Sequence, residues 1–185
     1  MSKLETNTID TVSGTTNLTI GSTNTSTITM PNGALSGQNY PAFEASVGAD
    51  QTISNATYTT VSASQENLDT DNAYNTSTYT FTPQVAGKYF YYSQIRFRGT
   101  VVNILNNLIL RVLKNNTSTT IGNSVMYAGS NDEQFTLNCS GIVDLNGSTD
   151  NIFFQGYASV SSGSPYFESA GTGNTTFFGA YRLGA

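Results

Sequence analysis

Between positions 88 and 98 the chain alternates with period two. Tyr89, Tyr91, Ser93, Ile95 and Phe97 share one side of an extended backbone, and Phe90, Tyr92, Gln94, Arg96 and Arg98 share the other. A strand with aromatic residues on both sides has to cover something on each. A second sheet on one side and a neighbouring subunit on the other satisfy that need. Pro83 and Gly87 bracket a turn before this strand, after an alternating run that ends Tyr79, Phe81. Comparable patterns predict strands near 41–47, 51–63, 76–82, 107–114, 119–127, 133–145, 150–159 and 175–183. Turns are expected at 84–87, 115–118, 129–132, 146–148 and 163–165. Leu108, Leu110 and Val112 form one inward set, and Gly179 marks a point where a neighbouring side chain can come close. No stretch sustains a 3.6-residue apolar rhythm, so residues 40–185 read as an all-β sandwich.

Residues 1–39 follow another pattern. They contain no aromatic residue, and their apolar residues come as sparse pairs: Ile9 and Val12, Leu18 and Ile20, Ile28 and Met30. A lone pair of short strands is marginal in water. Three copies wound about a shared axis can instead point these six side chains inward. A disordered polar leader is the other arrangement this composition permits. Pro31-Asn-Gly and Ser36-Gly punctuate the exit, giving an N-terminal stalk or arm over 1–39 and a head over 40–185.

Composition narrows the chemistry. A domain of about 145 residues buries roughly two-thirds of the surface its unfolded chain exposes, so the head needs no staples. Charged residues make up 10% of the chain, against about 25% in an average soluble protein. Asn, Thr, Ser and Gly replace them, and these residues favour strands and turns. A net charge of −5 with seven basic residues argues against a nucleic-acid partner. Arg96, Arg98 and Arg111 come nearest to a basic cluster, with pairing to Asp and Glu the expected use. No apolar run reaches the length of a membrane span, and no signal-peptide pattern opens the chain, so synthesis in a bacterial cytoplasm is expected. Nine Asn-x-Ser/Thr sequons then follow from composition alone.

Without His, the Ser-His-Asp and Cys-His arrangements are unavailable, and one Cys cannot build a zinc site. The lone Cys139 shares a strand side with Phe135 and Leu137 and reads as a small buried hydrophobe. The pairs Asp69/Asp71 and Asp132/Glu133 read as solvated turn residues, not as a glycosidase pair. The Asp69-Thr-Asp71-Asn72 run offers oxygens to calcium but lacks the Gly and distant Glu of a calcium loop. No enzyme activity, cofactor or metal is expected.

Asp69, Tyr74, Phe81, Gly87, Tyr89 and Tyr91 fall at intervals that resemble the globular head of complement component one-q, whose jelly roll is shared with the tumour necrosis factor family. Residues 108–116 resemble that family's fourth strand and its Lys-Asn turn, 150–154 its seventh strand, and 177–183 its last. Ala63 departs from the family's usual Phe, and Tyr91 and Ser93 stand where aromatic residues, often Phe, are usual. The resemblance implies a jelly roll that assembles as a homotrimer. Residues 1–39, with Thr-Ile-Asp-Thr-Val and Leu-Thr-Ile-Gly, are similar to the thin trimeric shafts of bacteriophage fibres. Together these resemblances imply a virion structural protein, a short fibre or spike joined to other virion proteins through 1–39. Its head would contact a host cell-surface glycan or protein, without membrane insertion. A capsid decoration protein at three-fold sites stays open, as does a secreted lectin-like module. Under the family's strand order, the pole away from the N-terminus displays 99–103, 128–131 and 161–172. Asn131, Pro165, Tyr166 and Phe167 are therefore the host-contact candidates, with packing of the last two against a trimer apex as the other outcome.

Overall fold

The computed structural model describes residues 40–102, 104–127, 133–169 and 175–184. The stalk positions Ile9, Val12, Leu18, Ile20, Ile28 and Met30 lie outside the described residues, as does Asn131. In chain order the strands are β1 (Ala42–Ser46), β2 (Gln51–Thr52), β3 (Thr59–Thr60), β4 (Gln65–Asp69), β5 (Tyr74–Asn75), β6 (Thr80–Phe81), β7 (Gly87–Gly99), β8 (Leu105–Lys114), β9 (Thr120–Tyr127), β10 (Gln134–Leu145), β11 (Ile152–Val160), β12 (Pro165–Phe167) and β13 (Phe177–Gly184). All pairings are antiparallel. The described residues contain no helix.

The first sheet is organised around β7. Strand β10 pairs along one of its edges without a break, from Gln134 opposite Arg98 to Leu145 opposite Gly87. On the other edge β13 lies beside Lys88–Gln94 and β12 beside Phe97–Gly99. From β13 the sheet continues to β1 and β4, and from β12 to β2. The second sheet runs β5-β6-β11-β8-β9, with β3 also on β11.

The two sheets close face to face over the Tyr89–Phe97 side of β7. Tyr89, Tyr91, Ser93, Ile95 and Phe97 are buried, and Leu108, Leu110 and Val112 come from the opposite sheet. Rings join the layers: Phe43 of β1 stacks on Phe81 of β6 at 4.2 Å, and Phe178 of β13 lies 4.9 Å from Phe154 of β11. Tyr91 reaches across to Ile121 O (3.0 Å), its ring end packed beside Gly122 and Gly141. Cys139 lies against the edge of this core, and burial raises its thiol pKa, which disfavours the reactive thiolate.

The residues that carry the resemblance are fold residues. Asp69 accepts the amides of Asp71 (3.1 Å) and Tyr74 (2.7 Å), tying off the loop after β4. Tyr74 Oη donates to Ala63 O at 2.8 Å and stacks on Phe43. Tyr89 Oη donates to Val85 O at 2.6 Å, and burial pushes its phenol up to about 12. Gly87 opens β7 at φ +149°, where a Cβ would sit 2.2 Å from Gly184 O.

Several predicted elements differ. The strand expected over 76–82 shrinks to Thr80–Phe81, because Asn75 Oδ1 accepts the amides of Ser77 and Thr78. Tyr79 then enters the left-handed region at φ +60° and cannot continue a strand. The strand expected over 51–63 is two short ones, separated where Ala56 turns at φ +54° and hands its amide to Ala158 O. Strands β4 and β12 were not expected. The first is exposed along most of its length and shows no alternation.

Candidate functional site

The outward side of the first sheet is laid out by register. One row crosses four strands as Ile142, Phe90, Tyr181 and Ala42. The next runs Ser140, Tyr92, Gly179, Glu44 and Leu68, and the third Asn138, Gln94 and Phe177. Gly179 has a structural task here. A Cβ on it would meet the Tyr92 ring at 2.4 Å, so its bare backbone lets that ring lie flat across the sheet. Tyr92 Oη thereby reaches Glu44 Oε2 at 2.8 Å. Burial and this bond push its phenol well above the ordinary range.

Around Tyr92 the rings form a continuous surface. Phe90 lies 6.4 Å from Tyr92 and 5.4 Å from Tyr181, and Phe177 lies 6.1 Å from Tyr92. A shallow depression of about 330 Å³ lies between Phe90, Tyr92, Phe177, Asn138 and Ser140. The row ends open: Ile142 is 61% exposed, Tyr181 44% and Leu183 49%.

Farther along the same side the chemistry becomes ionic. Glu168, just past β12, receives Arg96 Nε at 2.8 Å and Arg98 Nη1 at 2.6 Å. Arg98 Nη2 bonds Glu133 at 2.8 Å, and Arg96 Nη2 donates to Gln134 Oε1 at 2.9 Å. Bonds to Glu133 and then Glu168 raise the Arg98 pKa further, so this side chain stays charged. Arg96 and Arg98 therefore pair with carboxylates as expected, whereas Arg111 stands on the second sheet, bound to Gln155.

Of the far pole expected over 99–103, 128–131 and 161–172, residues 103, 128–131 and 170–172 lie outside the described residues. Arg182 Nε bonds Ala86 O, and Lys114 bridges Asp150 and Asp144 O, at the pole where β1 begins. The opposite pole joins Thr100 to Ser164 and Ile104 to Ser161. The host-contact candidates there are placed differently from the exposed aromatic loop expected over 161–172. Pro165 and Phe167 belong to β12 and are buried, and the Phe167 ring packs edge-on to Phe97 at 5.5 Å and over Gly156. Pairing with β7 and β2 turns alternate side chains inward, so of these three only Tyr166 retains partial exposure.

Two features of this surface were missed by reading the sequence: the Tyr92–Glu44 pair and the Glu168 clasp. A Gly opposite an aromatic on a neighbouring strand could have flagged the first. Nothing local flags the second, since Glu168 lies 70 residues from Arg98.

No family model and no curated protein matches the chain. Solved structures do. The chain is similar to murine APRIL in a crystal structure at pH 5.0, with 16% identity and a TM-score of 0.58 over 78% of this chain and 100% of that one. It is also similar to Eiger TNF from S. frugiperda, with 12% identity and a TM-score of 0.52 over 78% of this chain and 91% of that one. At such identities the likeness is one of fold: the described residues form a jelly roll of the tumour necrosis factor type.

Proposed function

We propose that the head assembles as a homotrimer through the outward side of the first sheet, and that the trimer is a non-enzymatic structural part of a bacteriophage virion. The observation that carries the assembly is the row Ile142–Phe90–Tyr181 with Tyr92 and Phe177 beside it. Open aromatic and aliphatic groups contiguous on a flat sheet mark a partner surface, because burying them removes apolar area from water. Three copies related by rotation close such a contact without leaving an end.

In the virion reading residues 1–39 are the anchor, joining other virion proteins, and the head stands outward as a short fibre or spike. Three repeated contacts with a host surface then gain avidity over one. A second reading, a decoration protein at three-fold capsid sites, is favoured by the burial of Pro165 and Phe167, which removes the aromatic loop a tip contact would use. Sedimentation equilibrium of the full chain tests the assembly: three copies are expected, and a single-copy species overturns it. Imaging labelled protein on particles tests the rest, with density at the tail for a fibre and on the shell for decoration.

A further inference from the structure

The second sheet turns a different surface outward. Beside the β5–β6 hairpin lies a depression of about 540 Å³, bordered by Thr60, Thr78, Thr80, Asn116 and Asn151, over the nearly buried Phe153. Its volume falls within the range of small-molecule sites, about 300–1,000 Å³. None of its lining side chains is charged. Hydroxyl and amide groups supply donors and acceptors at short intervals, and the Thr78 and Thr80 hydroxyls lie 2.7 Å apart. Asn116 Oδ1 accepts from Ser118 N within its own turn, and the side chain borders the depression.

The border continues into a rigid shelf. Thr60 Oγ1 accepts from Gln155 Nε2 at 3.1 Å, and Gln155 Oε1 holds Arg111 by two bonds of 3.0 and 2.6 Å. The Arg111 guanidinium then lies 3.6 Å from the centre of the Tyr58 ring, and Tyr58 lies 5.1 Å from Tyr157. Arg111 is thus committed to Gln155 and Tyr58. The ligand this surface fits is neutral, rich in hydroxyls, and apolar on one side of a ring.

We propose that this depression binds a neutral carbohydrate, with Thr78, Thr80, Asn116 and Asn151 bonding its hydroxyls and the Tyr58–Tyr157 shelf offering its rings to the apolar side of a second unit. The inference rests on the trimer reading, which buries the first sheet's outward side and leaves this one facing solvent. Neutral oligosaccharides of hexose units are titrated into the full chain by calorimetry, beside uronic-acid oligosaccharides. Saturable binding of at least one neutral sugar is expected. Thr78→Val with Asn116→Ala, both exposed and far from the core, should weaken it at least tenfold at an unchanged melting temperature. Tyr58→Ala, checked by the same melt, should weaken the longer sugars more than the shorter. No neutral sugar bound, binding confined to the acidic sugars, or binding indifferent to the double substitution each overturns the site. Sedimentation of the same sample separates the two ideas: a trimer that binds no sugar defeats this site alone, and a monomer defeats the assembly.

Discussion

The two outward sides of this sandwich differ although both are antiparallel sheets of similar residues. On the first, Phe90, Tyr92, Phe177 and Tyr181 touch in a sheet of rings, with Ile142 and Leu183 at the margin. On the second, Tyr58 lies 5.1 Å from Tyr157 and carries Arg111, and a depression edged with Thr and Asn lies over the buried Phe153. Water solvates the second surface through its amides and hydroxyls, whereas the ring surface gains by losing water. Under the proposed assembly, the first side is covered and the second faces water. The fold type alone would not have told them apart.

Charging the ring surface gives the largest expected effect. Ile142→Asp with Tyr181→Asp should convert the trimer to monomers with far-UV circular dichroism unchanged, since both residues are largely open in the single head. Val125→Asp on the second sheet, also open, should leave the trimer intact. Equal sedimentation of the two variants would erase the distinction between the sides. Next in size is Phe167→Ala. That ring is fully buried against Phe97 and Gly156, and losing such a ring costs about 3–5 kcal/mol. Tyr166→Ala, its neighbour on the outward side, should cost under about 1 kcal/mol. Denaturant midpoints of the two variants check this, and equal midpoints would place Phe167 outside the core.

Much of this contrast was legible in the sequence. The parity of residues 89–98 grouped the residues of each face correctly, while which face meets the second sheet was left open and is shown only by the packing. A strand buried on one side cannot slip by one residue without exposing its core. Leu108, Leu110 and Val112 were equally clear. Gly179 was read as a point of close approach, and the Tyr92 ring lies there. What failed did so for identifiable reasons. Gly163, Ser164 and Pro165 signal a turn, and they hide the three-residue strand behind them, whose pairing with β7 is decided 66 or more positions away. Arg111 was grouped with Arg96 and Arg98 because all three are near in sequence. Strand parity says which residues share a side of one strand and nothing about which sheet that strand joins.

The smallest expected effect separates Tyr92 from the core tyrosines by pH. Tyr74, Tyr89 and Tyr92 all have phenols raised above their ordinary value of 10.0, Tyr89 to about 12. A raised folded value means the unfolded chain releases the proton first, so the stabilisation is complete below pH 10 and is lost as pH climbs toward the folded value. The melting temperature should therefore fall from pH 10 upward. For Tyr92 the cause includes its bond to Glu44: removing the proton would leave phenolate and carboxylate oxygens 2.8 Å apart. Tyr92→Phe removes that bond at a cost of about 1 kcal/mol at neutral pH, and it should make the alkaline decline shallower. Because Tyr92 lies within the ring surface, the variant should also blunt any alkaline dissociation of the trimer, while Tyr89→Phe should alter only the melting curve. Dissociation monitored by sedimentation between pH 9 and about 11 distinguishes them, and identical behaviour of the two variants would mean that Tyr92 is no part of the contact between subunits.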